Sequence, residues 1–422
     1  MMRVHIISDV FPPEPVTAAG TARDIAEELS SRGHDVSVFA PFPNRPMGKL
    51  MEGYKRSWKK IEYRNGYRVI YSWHTLSKNS TLLSRTIENI TFGITSTIQL
   101  MREPLPDVVY MNTWPIFAQW LNTFTLAWRK VPVICVVHDL YPETYAGTGR
   151  MSKDKRLFRI VRAIDASVYH HCALVTTLNP VQEKVVLSTR NVSKNKLLVF
   201  NDWVDATRFP QNTSKNGEFR KKHGFAANLF LAMYVGSLTR MAGLELYVNA
   251  AERLRHRQDI LILLVGDGAM REKVEGLIKE KGLKNIQIIY PLKPEMVPEV
   301  QAASDTLMLS LLPEVGDDTT PSKLVYYMFS TRPVIASVKK NGPPAQIINE
   351  AACGHVIPQG SYQDLADKLE EFADHPTHLS ELGENARRYA EEHFLKENVL
   401  PRICNVIENV SIRKFSYVVD PE

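Results

Sequence analysis

The first place to look for chemistry in this 422-residue chain is Thr319-Thr320-Pro321-Ser322-Lys323, where hydroxyls and an amine meet the start of an expected helix. Thr320 suits an N-cap and Pro321 the first helical position, with the helix running on to Phe329. Backbone N–H groups, the helix dipole and the Lys323 ammonium then converge on one point, which makes an anion site. Capping alone would explain the Thr and Pro but not the Lys. Gly266-Asp267-Gly268 follows the apolar run Ile260–Val265 and opens another helix, yet the third fingerprint position is Arg271 rather than Gly. A tight turn near a nucleotide is therefore expected, not an NAD site. Gly20 ends the loop Phe11–Gly20, which follows the first apolar run; either it admits a phosphate or it only turns the chain. No Walker pattern is present. His138 closes the apolar run Val133–Val137 and begins His138-Asp139-Leu140-Tyr141-Pro142-Glu143. It can hydrogen-bond a hydroxyl without a fixed charge, or be a satisfied core histidine.

The elements that would position these residues alternate. In the first half, expected strands at Val4–Ser8, Asp35–Ala40, Val69–Ser72, Val108–Met111, Val133–Val137, Leu174–Thr177 and Leu197–Phe200 are separated by helix-length segments, the first Thr21–Arg32. In the second half, strands at Leu231–Val235, Ile260–Val265, Ile286–Tyr290, Thr306–Leu311 and Val334–Ala336 alternate with helices at Leu244–Arg257 and Met270–Lys281. Such alternation implies parallel sheets with ligands at the carboxyl ends of the strands. The fold class is α/β, two Rossmann-like domains whose parallel sheets face an interdomain cleft. The boundaries are 1–205, 206–395 and a terminal segment 396–422 that the pattern does not place.

Composition narrows the class. With 44% hydrophobic and 23% charged residues, the chain has apolar mass for two cores. Four scattered cysteines exclude a disulfide framework and a zinc ribbon and suit a reducing compartment. No secretory signal and no run of about 18 apolar residues are visible, so a cytoplasmic location is expected. No Asp-x-Asp turns up, so no metal site is expected and charge neutralisation falls to Arg, Lys and helix ends. Residues 1–200 carry 26 Lys/Arg against 16 Asp/Glu, a balance of +10, and the rest 26 against 30, a balance of −4. Leu82, Leu83, Ile87, Ile90, Ile94 and Ile98 form a stripe at helical spacing, preceded by Lys55, Arg56, Lys59, Lys60, Arg64, Arg68 and Lys78. The stripe either packs a core or, with the cations, meets an anionic membrane surface.

Taken in order, these segments resemble the retaining glycosyltransferases numbered four among the GT-B families, in the branch for O-antigen, capsule and exopolysaccharide assembly. The likeness runs through Phe11-Pro12-Pro13-Glu14 with Gly20, Arg32-Gly33-His34-Asp35-Val36, His138 to Glu143 and Tyr234-Val235-Gly236-Ser237-Leu238. It continues through Leu264 to Gly268, Pro321-Ser322-Lys323, Arg332-Pro333-Val334-Ile335-Ala336, Cys353-Gly354 and Asn385-Ala386-Arg387. It implies an NDP-sugar donor, UDP-linked, and a hydroxyl acceptor on a growing polyprenyl-linked saccharide. Cofactor and nucleic acid are not implied, and the chain would sit peripherally on the inner membrane face. The resemblance also implies that His138 contacts the donor sugar and that Gly20 approaches the diphosphate. Gly266, Gly268 and Ser322 would lie along the nucleotide. Asp318 and Tyr326 occupy the two positions of the family's Glu-x7-Glu, and Ser237 and Ala242 stand where Arg and Lys are usual. Arg240 and Lys323 are the cations left to hold the phosphates. An inactive scaffold subunit and a sugar-nucleotide 2-epimerase are the alternatives.

Overall fold

The computed structural model describes residues 1–45, 47–77, 81–112, 116–147, 152, 156–211, 214–313 and 320–411. The chain forms two compact units, one of residues Met1–Trp203 together with the segment from Glu397, the other Val204–Lys396.

The first unit is built on eight strands: β1 (Arg3–Ile7), β2 (Asp35–Pro41), β3 (Lys59–Arg64), β4 (Tyr67–Ser72), β5 (Val108–Asn112), β6 (Val133–Val137), β7 (Leu174–Thr177) and β8 (Leu197–Val199). Their order across the sheet is β3-β4-β2-β1-β5-β6-β7-β8, parallel except that β3 runs antiparallel to β4. The order reverses between β1 and β5, and the carboxyl ends of that pair form the crevice where such sheets take ligands. The antiparallel edge strand β3 was not foreseen. Its alternating half-exposed pattern KKIEYR carries four charges in six residues and reads as a solvated segment. The expected basic patch is largely neutralised there: Lys59 and Arg68 share Glu103, and Lys60 and Arg64 share Glu62, all within 2.6–2.9 Å. Lys78 lies outside the described residues.

The second unit holds six strands: β9 (Phe230–Val235), β10 (Ile260–Val265), β11 (Ile286–Ile289), β12 (Thr306–Ser310), β13 (Val334–Ser337) and β14 (Gly354–Ile357). Their order is β11-β10-β9-β12-β13-β14 and every pair is parallel. The central strands are covered on both faces, which is why β9 and β10 are unbroken apolar runs. The reversal here lies between β9 and β12.

Two local expectations are corrected. The first helix spans Thr17–Ser31, so Gly20 is inside its opening turn and ends no loop. Pro321 is the N-cap of the helix Ser322–Phe329, one position earlier in role than expected, and no side chain caps it. Asp318 and Thr319 lie outside the described residues.

The terminal segment also finds its place. The helix Lys396–Ser411 lays Val399, Leu400, Ile403, Cys404, Ile407 and Val410 into the same apolar core as Val4, Leu29 and Val38. Its i, i+3, i+4 spacing gives one buried face. On the other side Glu408 bonds His34 at 2.9 Å and Arg32 at 3.3 Å. The end of the chain thus completes the N-terminal core. Ile407, only 1% exposed, sits deep in it, so Ile407→Ala should cost about 2–4 kcal/mol in urea unfolding. A loss under about 1 kcal/mol would show that the helix is only loosely docked.

Candidate active site

In the second unit the candidate site grows from the carboxyl end of β9. Gly236 follows the strand at φ +142°, a conformation side chains rarely adopt, and an added Cβ would run into the Lys323 side chain. Lys323 comes from the first turn of the Ser322–Phe329 helix. Its Nζ hydrogen-bonds the Tyr234 hydroxyl and lies 4.4 Å from the centre of that ring. One turn on, the Tyr327 hydroxyl accepts from the Val235 N–H at 2.9 Å and donates to the Val235 carbonyl at 3.1 Å. That clip locks helix to strand end and so fixes the lysine over Gly236. Lys323 has no carboxylate partner among the described residues, and burial lowers its pKa to about 8. An ammonium with no counter-charge among the described residues, at a helix start and a switch point, is a candidate anion site.

The neighbouring loops pack tightly. Gly236 N–H donates to the Val265 carbonyl at 2.8 Å, and Leu238 N–H to Asp267 at 2.9 Å. A Cβ on Gly266 would strike the Gly236 carbonyl, and one on Gly268 would come within 2.8 Å of Leu238. Loop-to-loop packing alone therefore accounts for both glycines. Arg240 opens a single 3-10 turn after this loop, exposed and within electrostatic reach of Glu245. Ala242 beside it is buried and Ser237 is exposed. Ser322 is exposed on the first turn of the Lys323 helix. Tyr326, one turn beyond, stacks on Phe209 with ring centres 5.7 Å apart, so its ring is engaged in packing.

In the first unit, His138 lies in the bend after β6, half-buried. Its carbonyl accepts from the Gln182 amide at 3.3 Å, while its ring meets no described hydrogen-bond partner. The loop that carries it is anchored by Arg190, which grips both Glu143 oxygens at 2.6 and 2.8 Å, Asp165 at 2.7 Å and the Tyr141 carbonyl at 2.7 Å. Glu143 is thereby structural. Burial pushes the Asp139 carboxyl up, although His138 pulls the other way. At the end of β1, buried Asp9 pairs with Arg45 at 2.7 Å. Glu14 accepts from the Phe11, Asn44 and Arg45 N–H groups at 2.9–3.1 Å, tying its loop to the turn after β2. Gly20 has nothing within 4 Å of an added Cβ, so the first turn of its helix is open on that side. Sequence reasoning missed the Asp9–Arg45 pair and the Tyr234 and Tyr327 contacts. Only Asp9, a charge ending an apolar strand, left a readable signal.

Known proteins share this plan. The model for glycosyl transferases group 1 matches residues 215–389, and that for Glycosyltransferase Family 4 matches residues 18–208. A relative named for colanic acid biosynthesis, the glycosyl transferase WcaI of Escherichia coli, is 22% identical over 419 residues, spanning 96% of this chain and all of its own. Among solved structures, sucrose-phosphate synthase from Thermosynechococcus elongatus superposes with TM-score 0.74 at 16% identity, over 97% of this chain and 99% of its own. Anabaena HepE, solved in complex with UDP, gives 0.72 at 14%, over 97% and 100%. The two models together match most of the chain, which belongs to the group 1 and family 4 glycosyltransferases they describe and has the GT-B fold of its solved neighbours.

A residue kept for a ligand need not suit the empty fold. The Lys323 ammonium is penalised by burial, so the cost is complete below pH about 8 and fades toward its unfolded pKa of about 10.4. Lys323→Met should therefore stabilise the protein by about 1–2 kcal/mol at pH 7, with the gain shrinking above pH 8 in urea titrations. A destabilised variant would make the Tyr234 contact structural instead.

Proposed function

We propose that the protein transfers a sugar from an NDP-sugar, UDP-linked, to a hydroxyl of a growing lipid-linked oligosaccharide with retention of configuration. The observation that carries this is the uncompensated Lys323 ammonium, held over Gly236 at the switch point of the second sheet. A uridine nucleotide is brought forward by HepE, which was solved with UDP and with UDP-glucose. In this reading Lys323 and Arg240 neutralise the diphosphate, and the first turn at Ser322 adds backbone N–H groups. Gly266 and Gly268 keep the neighbouring turn narrow, and Asp318 and Tyr326 border the nucleoside. His138 hydrogen-bonds the donor sugar, and Gly20 leaves room for the phosphates at its helix start. As the glycosidic bond breaks, charge gathers on the leaving diphosphate. That group then takes the proton of the incoming hydroxyl on the face it leaves, so no enzymic carboxylate need attack.

Lys323 and Arg240 suffice for this clamp, so transfer should survive EDTA. Arg240→Ala and Lys323→Ala should each cost roughly 2–4 kcal/mol in kcat/KM, and the double variant less than the sum because both hold one ligand. UDP affinity should fall as pH rises above about 8, where free Lys323 loses its proton. Normal donor binding and turnover in both single variants would sink the clamp, as would chelation that abolishes activity with magnesium or manganese restoring it. An inert scaffold would bind no nucleotide in calorimetry.

His138→Ala separates chemistry from binding. It should lower turnover roughly 100-fold while leaving UDP affinity nearly unchanged, the pattern of a contact that strengthens in the transition state. Near-normal turnover would remove His138 from the reaction.

A further inference from the structure

Three helices of the first unit, Leu82–Arg102, Ile116–Trp128 and Arg156–His171, lie side by side, and the first two are apolar on the outside. On the first, Leu83, Ile87, Ile90, Ile94 and Met101 are 42–70% exposed, at spacings of four, three, four and seven that trace one face. The second exposes Trp120, Phe124 and Trp128 on successive turns, by 40, 56 and 76%. The third adds Leu157 and Ile160. Polar residues go inward instead: Asn89, Ser96, Gln99, Gln119, Asn122 and Thr123 are all at most 3% exposed. Asn122 bonds Ser96 at 3.1 Å and Thr97 at 2.7 Å across the first two helices, and Gly93 lets them close until an added Cβ would stand 2.7 Å from the Ala118 Cα. This is the reverse of a water-facing amphipathic helix.

Charge on these helices is equally one-sided. Their two carboxylates, Glu88 and Asp165, are buried and paired with Arg85 at 2.6 Å and Arg190 at 2.7 Å. Exposed Arg102, Arg156 and Arg159, with Lys130 just past the second helix, have no carboxylate partner among the described residues. A second copy of the chain would set these cations against their like, whereas acidic lipid headgroups oppose them with the other sign.

We infer that this three-helix face inserts into one leaflet of a bilayer containing anionic lipid, with Trp120 and Trp128 at headgroup depth. No helix among the described residues is long and apolar enough to cross a membrane, so the helices lie in the interface plane. The inference deepens the acceptor half of the proposed function and rests on it only for its purpose: an acceptor with a lipid tail stays in the leaflet while its sugar end is worked on. Binding is driven mainly by apolar burial, and the charges of Lys59, Lys60, Arg64 and Arg68 are spent on neighbouring acids.

The test is flotation of the full chain with phosphatidylcholine vesicles containing about 30% phosphatidylglycerol, without sugar or nucleotide. The chain should float, and about 0.5 M salt should weaken binding several-fold without abolishing it. Ile90→Gln with Ile94→Gln, and separately Trp120→Gln with Phe124→Gln, should each lower partitioning by about tenfold or more with unchanged melting temperature. The inference is overturned if the wild type stays in the dense fraction, or if both double variants float as it does. It is also overturned if light scattering shows a lipid-free dimer that the same variants dissolve. Calorimetry with UDP on the same samples reads the proposed function separately: vesicle binding without UDP binding keeps this inference and removes that one, and the reverse does the opposite.

Discussion

A parallel sheet covered on both faces has no room for chemistry along its strands. Each backbone group in β9 and β10 is committed to a neighbour and each side chain to a core. Polar function can then sit only beyond the strand ends, and every candidate residue obeys that rule. Gly236 follows β9, Gly266 follows β10, His138 follows β6 and Asp9 follows β1. Lys323 is the instructive case, because it reaches the end of β9 from a different element. Its helix is sealed to the strand by the Tyr327 hydroxyl, which serves both polar groups of Val235. The seal holds an uncompensated cation beside two backbone turns that already crowd each other. Burial works against that charge in the folded protein, which is why its pKa is lowered.

Much of this plan is written in local pattern, and the gaps have physical causes. Strand positions were legible because buried parallel strands are continuous apolar runs, and Ile260–Val265 matches to the residue. β3 was not, since KKIEYR stands at a sheet edge where only pairing with β4 makes it a strand. The start of the first helix was placed late because Val16-Thr17-Ala18-Ala19-Gly20 has no capping side chain and ends in a residue that usually breaks helices. The terminal helix shows its own amphipathic spacing, but no local signal says which of two cores it completes. At the site, Lys323 and His138 were readable by type and place. Tyr234 and Arg190 were not, since their partners lie 89 and 47 residues away in the chain and only the folded topology brings them together.

The apolar stripe from Leu83 to Ile94 shows where periodicity runs out as a guide. Spacing alone says that one face of the helix differs from the other; it does not say which face is inside. In a water-soluble setting the apolar face would be assigned inward by default. Here Ser96, Gln99 and Asn122 take the inner positions, Asn122 bonding Ser96 and Thr97 while the Gln99 amide has no partner among the described residues, and Ile90, Ile94 and Phe124 are turned out. A polar contact between helices is tolerable when the outer surface meets hydrocarbon, because the apolar residues lose nothing by facing away from the core. The same arrangement in water would leave a broad apolar surface uncovered on every copy of the protein. The cations at the helix ends, with no carboxylate partner among the described residues, fit the boundary of such a surface with charged headgroups. An enzyme whose acceptor is tethered to lipid gains from this in a simple way: held at the leaflet, it searches two dimensions instead of three, and the acceptor's effective concentration rises without any added contact to the sugar.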